Sequence, residues 1–129
     1  LMNLQQKQKL NPACFEIGSH GFNHPHLTSL SETEVLAEMK DSRLKLSQDL
    51  SQDIIAFAYP FGSTSEKISK LCEKAGYRFA VNTDRGGLHI ADDPFSIFRV
   101  NIFPEENSLS LWKKTSSFYR RRFFKKHGQ

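Results

Sequence analysis

Three of the chain's five histidines, His20, His24 and His26, fall within seven residues of the stretch EIGSHGFNHPHL at positions 16–27. Neutral imidazoles are ligands for zinc-type divalent cations, and two of them from one short loop come together with little loss of chain entropy. His20 and His24 stand four residues apart. On a helix that interval would align the two rings, but Gly21 and Pro25 oppose an undisturbed helix, so a compact loop or a single turn must aim them. No glutamate follows His20, which removes the helical zinc-protease pattern with its built-in general base. The other reading is three polar residues on an ordinary surface loop, and spacing alone does not separate the two. Two imidazoles also fall short of the three protein ligands that a catalytic zinc site normally takes beside its water.

The elements around this loop decide what it can do. The run CFEIGS predicts a buried strand that delivers His20 to its end, with Cys14 inside it. Ser31 and Glu34 have capping-box spacing, so a helix should start there; Val35, Leu36, Met39, Leu46 and Leu50 recur at helical intervals and carry it to about Leu50. DIIAFAYP is too short for a helix and is stopped by Pro60 and Gly62, which predicts a strand from Ile54 to Tyr59 buried on both faces. Ile68, Leu71, Cys72 and Ala75 then mark a helix over residues 65–75, closed by Gly76. YRFAV predicts a third strand and FSIFRVNIF a fourth, and Ser108 opens a terminal helix. Strand, loop and helix in repetition is parallel α/β architecture, and both unusual loops, HGFNHPH and YPFG, follow strand ends, where such folds carry their sites.

Composition bounds the answer. A chain of 129 residues supplies one domain, and 38% hydrophobic residues with eleven phenylalanines exclude wholesale disorder. The two cysteines, Cys14 and Cys72, are too few for a disulfide framework or a cysteine zinc site and read as small buried hydrophobes. The net charge of +4 is concentrated in KKTSSFYRRRFFKK, residues 113–126, which contains no acid. Without that segment acids outnumber bases, which argues against nucleic acid as the domain's partner. No run approaches the roughly 18–20 apolar residues of a membrane span, and the opening residues hold no apolar stretch of leader type. Neither the cell envelope nor the cytoplasm is favoured. The start at Leu1, on what reads as the last turns of a helix, leads to the expectation of a piece of a longer protein.

Taken in order, EIGSHGFNHPHLTSLSETEVLAEMKDSRLKL, IIAFAYPFGS, KISKLCEKAGYRFAVNTDRGG and FRVNIF resemble the later part of the polysaccharide deacetylase (NodB-homology) domain, carbohydrate esterase family 4. The resemblance runs from about Phe15 to Phe103. It implies a partial distorted (β/α) barrel over residues 1–104; the basic, aromatic helix or tail over 105–129 lies outside it. It also implies metal-assisted removal of N- or O-acetyl groups from an acetylated polysaccharide or glycan. His20 and His24 match the family's two histidine ligands of a divalent metal ion, with zinc expected, and His26 does not. Gly21 stands where relatives carry the Ser or Thr whose hydroxyl helps brace that loop. In the third motif Pro60 is retained, Phe61 replaces the usual tyrosine, and Ala58 stands in place of the arginine that orients the catalytic aspartate. The resemblance gives the Phe61 backbone N–H the role of oxyanion donor. The first motif, an adjacent aspartate pair holding the general base and the third metal ligand, would precede Leu1 and has no match here.

Several residues carry weaker readings. His89 is a candidate for the acid that protonates the leaving amine, or a solvated loop histidine. Arg99, placed in the fourth strand, needs a partner and is a candidate organiser of the site through a carboxylate at the barrel mouth. Asp84 to Gly87, DRGG, could meet a sugar or simply form a turn, and Tyr59 with Phe61 could stack on a sugar ring or belong to the core rim. From another class comes a membrane-surface contact through residues 113–126, where cations interleave with aromatics beside Leu109 and Trp112. The last alternative is an inactive or truncated homologue that acts as a carbohydrate-binding module.

Overall fold

The computed structural model describes residues 2–83 and 93–116. His89, the DRGG stretch and the basic segment beyond Ser116 lie outside them. Helix α1, Leu4–Gln8, starts at an Asn3 N-cap whose side chain accepts from Gln6 N, while the Gln6 side chain accepts from Asn3 N. The opening residues therefore contain a helix start of their own, not only a helix end.

Helix α2, Glu32–Leu50, begins at the predicted capping box: Ser31 N–H donates to Glu34 Oε2 at 2.8 Å and Glu34 N–H donates back to Ser31 Oγ. Helix α3, Glu66–Lys74, is capped by Ser65, and α4, Ser108–Thr115, by Asn107. Between them run three short strands, β1 (Ala56–Ala58), β2 (Phe79–Asn82) and β3 (Ile97–Phe98). All pair in parallel, in the order β1-β2-β3, with Phe57 opposite Ala80 and Asn82 opposite Phe98. Sequential parallel strands with α3 as the crossover between β1 and β2 wind in one direction, as barrel strands do.

Three expectations are corrected. CFEIGS forms no strand; only Ser19 bridges to the sheet, its N–H donating to Ala56 O at 2.9 Å and its carbonyl accepting from Ala58 N at 2.8 Å. Cys14 and Phe15 are consequently exposed, because the run finds no pairing that would bury them. The second strand is buried on one face: Ile54, Phe57 and Tyr59 are enclosed while Ala56 and Ala58 are half-buried. The fourth strand shrinks to two residues, and Arg99 lies just beyond it.

The core lies between the sheet and the helices. Val35 and Met39 of α2, Ile68, Leu71 and Cys72 of α3, and Phe57, Tyr59 and Tyr77 form one buried cluster with Leu27 and Ile54. The phenol of Tyr77 donates to Met39 O at 2.9 Å, and that of Tyr59 to Phe95 O at 2.8 Å, so neither buried hydroxyl is left unpaired. Among the described residues no helix is long and apolar enough to cross a membrane.

Candidate metal centre

Two loops at the carboxyl ends of the first parallel segments meet here. The chain leaves the sheet at Ser19, turns through Gly21 and passes His24 and His26 before Leu27, which is wholly buried, pins it to the core. The second loop leaves β1 at Tyr59 and makes a turn over Pro60–Gly62. Thr28 ties the loops together, its N–H donating to Ser63 Oγ at 3.1 Å with the two hydroxyls 2.8 Å apart.

The sequence-predicted pair comes together. Nδ1 of His20 lies 2.7 Å from the carbonyl oxygen of Ala58. A carbonyl only accepts, so Nδ1 carries the proton and Nε2 of the neutral ring is left with a lone pair. That Nε2 accepts from the Nε2–H of His24 at 3.0 Å, with the rings at 71°, so a cation would take the place of the shared hydrogen. The separation would let both nitrogens reach one divalent cation at ordinary zinc–nitrogen distances. The donor set thus fits two ligands of a divalent metal, with the Ala58 carbonyl fixing the tautomer as outer partners of ligating histidines do. No group of three or more metal-binding side chains occurs among the described residues.

Backbone strain gathers at this place. Among the described residues three non-glycine residues have positive φ, and two of them are His24 (58°) and Phe61 (57°). Such conformations are held only where surroundings over-determine them, and they concentrate at working sites. The Phe61 ring meets His24 edge-on at 4.6 Å between centroids and stacks on His26 at 4.1 Å, 19° from parallel. His26 therefore supports the Phe61 ring. The turn's own bonds run from Gly62 N–H to Tyr59 O and from Ser63 N–H to Pro60 O, leaving the Phe61 N–H outside them. Gly62, at φ +64°, would be strained by any side chain, because a Cβ there would meet Thr83 Oγ1 and force it to shift.

Beside the Phe61 ring opens a cavity of about 350 Å³ bordered by His26, Phe61, Ser63, Thr64, Asn82 and Thr83. Asn82 is buried; its Oδ1 accepts from Thr83 N–H, and its Nδ2 has no partner among the described residues. Arg99 donates from Nε to Asn82 O at 3.2 Å, so its guanidinium meets a carbonyl rather than a carboxylate. Tyr59 is fully buried, and the exposed ring at this rim belongs to Phe61 alone of the two.

One contributor was not foreseen from the sequence. Glu38, on α2, accepts through Oε2 from the N–H groups of Phe22 (2.9 Å) and Asn23 (2.8 Å), and through Oε1 from Asn23 Nδ2 (2.5 Å). Partial burial would raise its carboxyl, but the Asn23 and Phe22 donors outweigh that and hold it below the ordinary value. Gly21 takes the turn at φ +84°, where glycine is favoured, and a Cβ there would make only ordinary contacts with Glu38 Oε2 and Pro60 Cγ. No local signal in the sequence places Glu38 against residues 22 and 23.

A parallel sheet wound in one direction, with an imidazole pair at its strand ends, can be set beside known proteins. The family model of polysaccharide deacetylases matches residues 3–80, and the chain belongs to that family. A Bacillus subtilis (strain 168) protein named as a polysaccharide deacetylase, YxkH, is 27% identical over 100 residues, which cover 78% of this chain and 36% of that protein. The deacetylase PplD of Streptococcus pyogenes, solved in complex with acetate, superposes with a TM-score of 0.80 at 28% identity, covering 89% of this chain and 51% of that one. The polysaccharide deacetylase BC0361 from Bacillus cereus shares the fold at a TM-score of 0.77 and 23% identity, over 89% of this chain and 37% of its own. The chain thus spans from about a third to about half the length of these relatives.

Proposed function

We propose that this chain is the histidine-bearing part of a metal-dependent deacetylase that removes acetyl groups from a polysaccharide, with zinc as the divalent ion. The observation that carries the reading is the His20–His24 pair, two Nε2 atoms 3.0 Å apart with the His20 proton fixed on Nδ1. Family membership supports the substrate class, and the acetate in the solved complex of PplD supports acetyl as the group removed.

His20 Nε2 and His24 Nε2 would hold the ion. When bound, it supplies Lewis acidity toward the acetyl carbonyl and lowers the pKa of a bound water. The Ala58 carbonyl keeps His20 in the ligating tautomer. The Phe61 N–H is free of the turn's own bonding and is the donor for the developing oxyanion, a role main chain fills whatever the side chain. The exposed Phe61 ring, backed by His26, offers an apolar face to a sugar ring. Among the described residues no third metal-binding side chain joins the pair.

Calorimetric titration of zinc into the folded chain at pH 7.5 tests this. One equivalent is expected, and it should disappear in a His20→Ala/His24→Ala double variant. Identical isotherms for the two folded proteins overturn the reading.

A further inference from the structure

We propose that Glu38 is the positioning residue that presets the His20–His24 pair for a divalent cation, by clamping the intervening loop to α2 through three hydrogen bonds. The inference rests on the reading under Proposed function and extends it to a residue outside the metal-facing pair.

Between the two ligands lie Gly21, Phe22 and Asn23. Gly21 and His24 both adopt positive φ, which an unrestrained loop would leave for extended or right-handed conformations. Left alone, this four-residue turn would sample many arrangements, and two imidazoles that must be ordered on binding lose affinity by the ordering entropy. The Glu38 carboxylate removes that freedom from the middle of the turn. One oxygen takes two successive backbone N–H groups and the other takes the Asn23 side-chain amide, so a single side chain satisfies three donors between His20 and His24. Bonds to an ionised acceptor are roughly twice as strong as neutral ones. The anchor is itself rigid, because Glu38 precedes the buried Met39 on a 19-residue helix whose Val35 and Met39 lie in the core. Gly21 belongs to the same device, since its φ of +84° is a conformation that residues with a side chain rarely adopt.

The proposal separates geometry from charge. In Glu38→Gln the remaining oxygen can accept both backbone N–H groups while the new NH₂ faces a flipped Asn23 amide, so the clamp survives without its charge. Glu38→Ala removes it, and Asn23→Ala weakens it from the loop side.

The test is zinc affinity by calorimetry, with backbone amide hydrogen exchange at Phe22 and Asn23, on the full chain checked for folding by circular dichroism. Glu38→Ala should bind zinc about tenfold more weakly or worse, in the range seen for lost outer-shell partners, with faster exchange at both amides. Glu38→Gln should stay within about threefold of the unmodified chain, and Asn23→Ala should fall between. The inference is overturned if the Glu38→Ala isotherm coincides with that of the unmodified chain, or if Glu38→Gln loses as much as Glu38→Ala. Absence of His-dependent zinc binding by the unmodified chain overturns the functional reading instead, and is recognised because its isotherm then matches the His20/His24 double variant.

Discussion

Helices α3 and α4 are built by the same local rules and end in opposite situations. Each starts at a polar side chain that accepts from the backbone three residues on, Ser65 from Ile68 and Asn107 from Ser110. Yet α3 sinks Ile68, Leu71 and Cys72 into the core, whereas α4 buries nothing and leaves Leu109 and Trp112 58% and 66% exposed. Caps decide where a helix begins, and only tertiary partners decide what it contributes. The site hangs on the α2 and α3 side of this contrast, because both of its loops are pinned there by Leu27, Tyr59 and Glu38.

The contrast can be broken by substitution. Phe57→Ala, in the centre of β1, should destabilise the fold by about 3–5 kcal/mol in urea denaturation. Leu71→Ala on α3 should destabilise by about 2–5 kcal/mol, while Trp112→Ala on α4 should change stability by no more than about 0.5 kcal/mol. An equal loss at Trp112 and Leu71 would mean that α4 is packed as α3 is. Removing the α2 cap with Ser31→Ala should destabilise by about 1 kcal/mol.

Chemistry sharpens the same comparison. Burial pushes the Cys72 thiol up to about 12, while Cys14 is exposed. A thiol reagent at pH 8 should label Cys14 quickly and reach Cys72 only on unfolding, as mass spectrometry would record. Burial likewise pushes the Tyr77 phenol up to about 12. Between the ordinary thiol value of 9.0 and about 12, the native chain holds a proton at Cys72 that the unfolded chain releases. Stability is therefore expected to fall as pH rises through that window, and Cys72→Ala should flatten the decline.

The readable parts of the sequence were those governed by neighbours in the chain. Ser31 and Glu34 announced α2, Gly76 closed α3, and the strand-end positions of the HGFNHPH and YPFG loops followed from the order of elements. The pairing of His20 with His24 was suggested by spacing and made specific by family resemblance. What stayed hidden depends on distant partners. The apolar run before Ser19 signals burial, but a strand also needs ladder partners, and only Ser19 found them. Arg99 was read for a carboxylate partner and meets the Asn82 carbonyl instead. Glu38 looked like one more charge on an amphipathic helix, because nothing local shows that position 38 lies against residues 22 and 23.

The central claim is that His20 and His24 jointly ligate a divalent ion. Crystals of the chain grown with zinc, measured at the zinc absorption edge, test it most directly. An anomalous peak is expected about 2.0–2.1 Å from both Nε2 atoms, with His20 Nδ1 still bonded to the Ala58 carbonyl. A zinc-loaded crystal with no peak between those two nitrogens, and the rings still paired to each other, would contradict it.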